Sequence, residues 1–176
     1  MSCSQTLVGI PYDCDTNVGG IKEAYLTNYA DGIFAVGTNA SGDTEITGVT
    51  SGATFHRFQF RKGTGSMTST LNVDEAAGTN FVQTDVVLQF SRMETMKRTA
   101  VAALALGGLA GIVVDCNGKK WAIGVDEPVN ASAGSGNSGT ARTDSNNYQI
   151  TLTDIFKTFP YEVTEDAFNS ITVSAE

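Results

Sequence analysis

Apolar and polar residues alternate along many short stretches of the chain, which is the pattern of β-strands with one buried face. The clearest stretch is residues 81–90, whose two faces separate apolar from polar side chains: Val82, Val86, Leu88 and Phe90 on one, and Gln83, Asp85 and Gln89 on the other. The same alternation or short apolar runs predict further strands at residues 24–29, 33–36, near 46, 55–61, 66–73, 111–115, 119–125, 147–153, 159–163 and near 171. The chain is therefore predicted to be mainly β.

Two turn signals join predicted strands. Asn117-Gly118 lies between two apolar runs, which is the strongest short-range signal of a β-hairpin. Asp31-Gly32 is a similar, hairpin-type turn between the segments at 24–29 and 33–36. Both turns favour antiparallel pairing of neighbouring strands.

One segment has the period of a helix instead. Ser91 and Glu94 have the spacing of a capping box, and Gly107-Gly108 supplies a stop signal. Between them, residues at helical spacing form one face: Met93, Met96, Ala100, Leu104 and Gly107. The pattern predicts one helix over about residues 91–107.

These elements predict a β-sandwich or partly open antiparallel β-barrel with one packed α-helix. Residues 1–21 are predicted to form an N-terminal arm that needs a neighbour, and residues 22–176 a single domain with flexible loops near 37–52 and 130–146. The predicted core consists of Phe58, Phe60, Val86, Leu88, Phe90, Trp121, Ile123, Tyr148, Ile150 and Leu152.

Composition narrows the classes of function. A formal charge of −8 argues against a protein that binds nucleic acid by neutralising phosphates. Cys3, Cys14 and Cys116 are widely spaced and odd in number, which favours reduced thiols in a cytoplasmic assembly. We expect no signal peptide and no membrane anchor, since the longest uncharged run, residues 100–114, is short and broken by glycines.

Two motif matches lack their required context. Gly134, Gly136 and Gly139 spell G-x-G-x-x-G, but a strand rather than a helix is predicted to follow, so we interpret them as a flexible loop. Asp13 and Asp15 begin like a calcium loop, but the glycine and glutamate that such a loop needs are missing. We expect neither a cofactor nor a metal.

The sequence also lacks the usual groupings of catalytic residues. His56, the single histidine, has no predicted serine, cysteine or carboxylate partner, so we expect no catalytic residues and no enzyme. Basic residues form the clusters Arg57, Arg61 and Lys62; Arg92, Lys97 and Arg98; and Lys119 and Lys120. We interpret the clusters as solvated surface or as partners for carboxylates of an adjoining subunit.

Three segments together resemble the tail tube (major tail) proteins of long-tailed bacteriophages, in particular phages of Bacteroidota. They are Cys14 through Gly19-Gly20-Ile21-Lys22 to Tyr25-Leu26-Thr27-Asn28-Tyr29, then Asp115-Cys116-Asn117-Gly118-Lys119-Lys120-Trp121-Ala122-Ile123-Gly124, and Gly139-Thr140-Ala141 through Asp144-Ser145-Asn146-Asn147-Tyr148 to Leu152. One departure is Asn146-Asn147, where Asn-Gly is expected.

The resemblance implies a virion protein, assembled in the host cytoplasm, whose hexameric rings stack into a tube that conducts DNA. Its expected partners are other copies of itself, other tail proteins, and DNA that passes without sequence-specific binding. Residues 66–73 carry no charge or proline, which suits pairing between subunits. The candidate ring-contact residues on this strand are Ser66, Thr68, Thr70 and Asn72.

Other classes of function remain open at this stage. A head decoration or head–tail joining protein, or the tube of a contractile machine, would share the same physics. A carbohydrate- or cell-surface-binding β-sandwich would present an exposed aromatic patch around Trp121, whereas a tube subunit would bury Trp121.

Overall fold

The structure, a computed structural model, describes residues 9–12, 14–50 and 52–174. Its elements are β1 (Ile21–Asn28), β2 (Phe34–Thr38), β3 (Thr44–Val49), β4 (Thr54–Gln59), β5 (Ser66–Asp74), β6 (Thr79–Ser91), α1 (Thr95–Leu106), β7 (Leu109–Asp115), β8 (Lys120–Ile123), β9 (Asn130–Asn137), β10 (Asn147–Phe156), α2 (Glu165–Asn169) and β11 (Thr172–Val173). The mainly β prediction is confirmed, and the arrangement is that of a β-sandwich.

Two sheets form the sandwich, and a hairpin adds a third layer. One sheet has five strands in the order β11-β4-β1-β7-β8, and the other has four in the order β5-β6-β10-β9. The four-stranded sheet is antiparallel throughout. The hairpin of β2 and β3 packs on the outer side of the five-stranded sheet together with α2.

The main core lies between the two sheets. Its buried side chains include Leu26 on β1, Leu88 on β6 and Leu152 on β10, and Leu104 of α1 closes one side. Of the predicted core, Val86, Leu88, Phe90, Ile123, Ile150 and Leu152 are buried. Phe58, Phe60, Trp121 and Tyr148 are half-buried.

A second core lies on the other face of the five-stranded sheet. Phe55, Ile46 and Ile112 are fully buried there, beneath the β2–β3 hairpin and α2. Because β1 and β7 are covered on both faces, their residues are buried almost without interruption, and β7 is apolar from Leu109 to Val114. The four-stranded sheet has no such cover on its outer face within the described residues, and its strands alternate instead.

The helix is shorter than predicted, and the capping box is wrong. Ser91 is still the last residue of β6, and Arg92 then turns the chain with a positive φ of 68°. Glu94 is extended and makes no side-chain cap; its carboxylate instead pairs with Arg92 and Lys97. Strand pairing to β10 therefore prevails over the local helix signal at Ser91.

About half of each predicted loop is strand. The stretch 37–52 contains the end of β2, the turn at 39–43 and all of β3; the strand near Ile46 is confirmed. The stretch 130–146 contains β9, which pairs with β10 along its length, so the prediction of a flexible loop there is wrong. Only residues 138–146 connect the two strands.

Some smaller predictions also change. Gly118 completes the predicted β7–β8 hairpin with a φ of 85°. The turn at Asp31-Gly32, in contrast, joins β1 and β2, which belong to different sheets and do not pair. The helix α2 was not predicted, although Thr164 caps it and Glu165 and Asp166 occupy its first turn. Residues 162–163 make isolated bridges instead of a strand.

Candidate assembly surface

The five-stranded sheet protects both of its edges. Beyond β8, residues 161–163 bond to the strand through the Ala122 N–H to the Tyr161 carbonyl (2.9 Å) and the Val163 N–H to the Lys120 carbonyl (2.8 Å). At the opposite edge, β11 is only two residues long and pairs with Thr54 and Phe55, while the rest of β4 carries the charged Arg57. Short or covered edges are the devices by which proteins prevent unwanted strand pairing.

The four-stranded sheet has neither device. Within the described part of the chain, β5 and β9 border no further strand, and they are nine and eight residues long. Apart from the terminal Asp74, neither strand contains a charged residue, and neither contains a proline. Both edges therefore leave a row of backbone N–H and C=O groups available for pairing with another chain.

The predicted contact residues share one face of β5. Ser66, Thr68 and Thr70 are exposed, and Asn72 is half-exposed with its side-chain amide donating to the Thr70 carbonyl (3.3 Å). Their neighbours on the strand point to the core side: Met67 packs against the main core, and the Ser69 and Thr84 hydroxyls are 2.8 Å apart. The structure thus brings the four residues together at an open edge.

The second edge, β9, was missed by the sequence reading. Its residues are small and polar, which resembles a loop, yet they alternate across the sheet. Gly134 and Gly136 oppose Ile150 and Tyr148 on β10. A side chain at Gly136 would meet the Tyr148 ring at 3.0 Å and the Met93 methyl at 3.2 Å, so Gly136 serves close packing of β9 on Tyr148.

The outer face of the four-stranded sheet is rich in hydroxyl and amide groups. By register, its side chains include Ser66, Thr68, Thr70, Gln83, Asp85, Val87, Gln89, Gln149, Thr151, Thr153 and Ile155. Asp85 is the only ionisable group of that set; its carboxylate accepts from the Thr153 hydroxyl (2.5 Å) and from the Gln83 amide (3.1 Å). None of these side chains on the described strands is a cation that could pair with a phosphate.

The other candidate residues are dispersed. His56 is exposed on β4, and Trp121 is half-buried with its indole N–H donating to Asp115 Oδ2 (3.2 Å). Asn17 bonds to Asn117, whereas Cys3 and Asp13 lie outside the described residues. The described residues contain no group of three or more potential metal ligands.

The basic clusters are partly neutralised within the chain. Arg57 pairs with the buried Glu23, while Lys119 and Lys120 pair with Glu162 and Glu165. The Glu162 carboxylate raises the pKa of Lys119 through this hydrogen bond. In the part of the chain that is described, Arg61, Lys62 and Arg98 form no ion pair.

One buried carboxylate was not anticipated. Asp154 on β10 is 5% exposed, and its Oδ2 accepts the Gly124 N–H at 3.1 Å. Burial is the largest cause that raises the pKa of Asp154, and the Gly124 hydrogen bond opposes it. This group joins the end of β8 to β10 and therefore has a structural role.

None of the helices among the described residues has the length and apolar character needed to cross a membrane. Comparison with models of known protein families, with curated proteins and with solved structures finds no match to this chain.

Proposed function

We propose that this chain is a structural protein that assembles head to tail into rings, which stack into a bacteriophage tail tube. The observation that carries the proposal is the contrast between the two sheets: one has protected edges, and the other has two long, uncharged, open edges. A sheet left open on both sides is suited to pairing with a copy on each side.

Strand direction supports head-to-tail pairing. Because the four strands alternate in direction, β5 and β9 run antiparallel to each other. When β5 of one copy lies beside β9 of the next, the antiparallel pattern continues across the boundary. Such a contact uses two different surfaces, and it closes into a ring when the rotation between copies allows.

The outer face of the sheet suits a DNA conduit. In a closed ring, the four-stranded sheets would form one continuous barrel whose inner surface is this hydroxyl- and amide-rich face. Asp85, its ionisable group, would repel phosphates, and the net charge of −8 acts in the same direction. DNA would then pass without being held by the counterion-releasing contacts that make proteins bind it.

The test blocks one edge at a time. Proline removes a donor from an edge, so Thr70→Pro on β5 and Ser135→Pro on β9 each disable one surface. Adjacent residues of a strand direct their N–H groups to opposite sides, so Leu71→Pro and Gly134→Pro are made in parallel. From each adjacent pair, the variant that retains the circular dichroism spectrum of the wild type and unfolds cooperatively is used.

We expect each blocked variant to be a monomer and an equimolar mixture of the two to form only heterodimers. Each partner in the mixture retains one open edge, and these two edges are the complementary ones. Sedimentation velocity distinguishes the species. Rings formed by either variant alone would contradict the proposal, and homodimers of one variant would indicate self-paired edges instead.

A further inference from the structure

The β5–β6 hairpin extends beyond the sandwich. The last register pair between β10 and β6 is Phe156 with Val82, so residues 79–81 of β6 pair with β5 alone. We call residues 71–81 the hairpin arm. Leu71 is 52% exposed and Val73 is 61% exposed on it. A two-stranded ribbon is only marginally stable in water, so apolar side chains there favour a partner that covers them.

A complementary apolar surface lies at α1. A groove of about 590 Å³ separates α1 from β4. Its lining includes Phe58, Phe90, Met96, Ala100, Val101 and Leu104. Met96 is 75% exposed, so this face of the helix is not covered within the described chain.

The hairpin arm and the groove belong to opposite ends of one strand. The arm contains the first residues of β6, whereas Phe90, which lines the groove, is next to the last residue, Ser91. The 13 residues of β6 span roughly 40 Å. Two copies displaced along β6 would therefore bring the arm of one to the α1 end of the other.

The two ends have opposite charge. The turn of the hairpin arm carries the adjacent Asp74 and Glu75. The other end has three positive charges, from Arg92, Lys97 and Arg98. The carboxylate of Glu94, which pairs with Arg92 and Lys97, supplies one negative charge against them. Arg61 adds a charge there, since it lines the same small depression as Ser91 and Lys97. Opposite charge at the two ends favours one relative orientation of the copies and disfavours like ends.

We infer that the hairpin arm of one copy docks in the groove between α1 and β4 of a second copy in the next ring. Leu71 and Val73 contact the apolar lining, while Asp74 and Glu75 meet Lys97 and Arg98. The inference rests on the proposed function for the ring and adds the surface by which rings stack.

Charge reversal tests the contact without touching the ring edges' hydrogen bonds. The arm-reversed variant is Asp74→Lys with Glu75→Lys, and the helix-reversed variant is Lys97→Glu with Arg98→Glu. A control, Asp43→Lys with Glu127→Lys, changes the net charge as the arm-reversed variant does, but in other exposed loops. Ring and stack populations are measured by sedimentation velocity and negative-stain electron microscopy.

We expect each reversed variant to form rings but to need at least about a tenfold higher concentration to stack, since like charges then face each other. A chain carrying both reversals should regain stacking, and the control should stack as the wild type does. Stacking of both reversed variants at wild-type concentration would overturn this inference alone. A wild type that forms no rings would overturn the proposed function, and with it the ring stacking inferred here.

Cross-linking locates the contact directly. In a background where Cys3, Cys14 and Cys116 are serine, a Val73→Cys chain is mixed with a Met96→Cys chain under mild oxidation. The expected product is a covalent dimer that joins the two different chains, and it should diminish when the arm is reversed. Cross-linking of Val73→Cys chains only to one another would overturn the assigned partner surface. Failure of Met96→Cys to form either cross-link would mean that another segment, such as the N-terminal arm, fills the groove, and it would also overturn the inference.

Discussion

Replacing Leu88 by alanine tests whether β6 has one packed face and one open face in the subunit. Leu88 is fully buried in the main core, opposite Ile150 in the register with β10. The change removes three carbon atoms, which accounts for about 2.4 kcal/mol of transfer free energy. The cavity left between the sheets adds to this, so we expect a loss of about 3–5 kcal/mol in the free energy of unfolding.

The matched control is its neighbour. Val87 lies on the outer face and is half-exposed, so Val87→Ala should cost about 1 kcal/mol or less. Urea unfolding followed by fluorescence of Trp121, the single tryptophan, gives both values. The measurements use the folded, monomeric β5-blocked variant, either Thr70→Pro or Leu71→Pro, because assembly would make the apparent stability depend on concentration.

Equal losses from the two substitutions would refute this reasoning. They would mean that the outer face of the four-stranded sheet is packed within the subunit, and it would then be unavailable to line a tube. A small loss at Leu88 would equally contradict the position of the main core.

Three further predictions concern the buried carboxylate of Asp154, the N-terminal arm and the outer face of the four-stranded sheet. Burial raises the pKa of Asp154, so this carboxyl contributes its full stability below the unfolded pKa of about 3.9 and loses that contribution as pH rises through the folded pKa. Asparagine stays neutral at every pH, so the free energy of unfolding of Asp154→Asn relative to the wild type should be higher at pH 7 than at pH 3. Equal differences at the two pH values would contradict this. The Asn117 side chain accepts the Val18 N–H at 2.8 Å and donates to the Val18 carbonyl at 3.1 Å. Asn117→Ala should therefore speed limited proteolysis between residues 9 and 20. An unchanged rate would mean that these two hydrogen bonds do not hold the N-terminal arm on the domain. Gln83→Lys with Gln149→Lys should leave tubes intact but make them retain double-stranded DNA at low salt, whereas failure to retain DNA in a filter-binding assay would place this face outside the lumen.

The parts of the fold that follow from local pattern could be predicted from the sequence. Alternation along 81–90 gave β6 and its buried face, and Asn117-Gly118 gave the β7–β8 hairpin. The uncharged strand at 66–73 was predicted as a contact strand, and it is an open sheet edge. Alternation, a hairpin turn and a lack of charge are patterns of neighbouring residues, so they can be recognised in a single sequence.

Other parts depend on tertiary pairing and could not be predicted. The stretch Asn130–Asn137 is a strand because β10 supplies hydrogen-bond partners and because Gly136 allows close packing on Tyr148. Ser91 carries a helix-capping signal, but it continues β6 because Asn147 pairs with it. The second core under α2 and the carboxylate of Asp154 arise from elements distant in sequence. The sequence signal for β9 lay in the small apolar residues interspersed with serine between Asn130 and Asn137. Two glycines in this stretch favour a loop and outweigh that signal.

The most direct test of the central claim is negative-stain electron microscopy of the concentrated wild-type protein, with light scattering on the same sample. The account predicts rings with a central hole, and stacks of such rings, formed from the 18.5 kDa subunit. Particles that remain 18.5 kDa monomers up to the solubility limit would contradict assembly through β5 and β9.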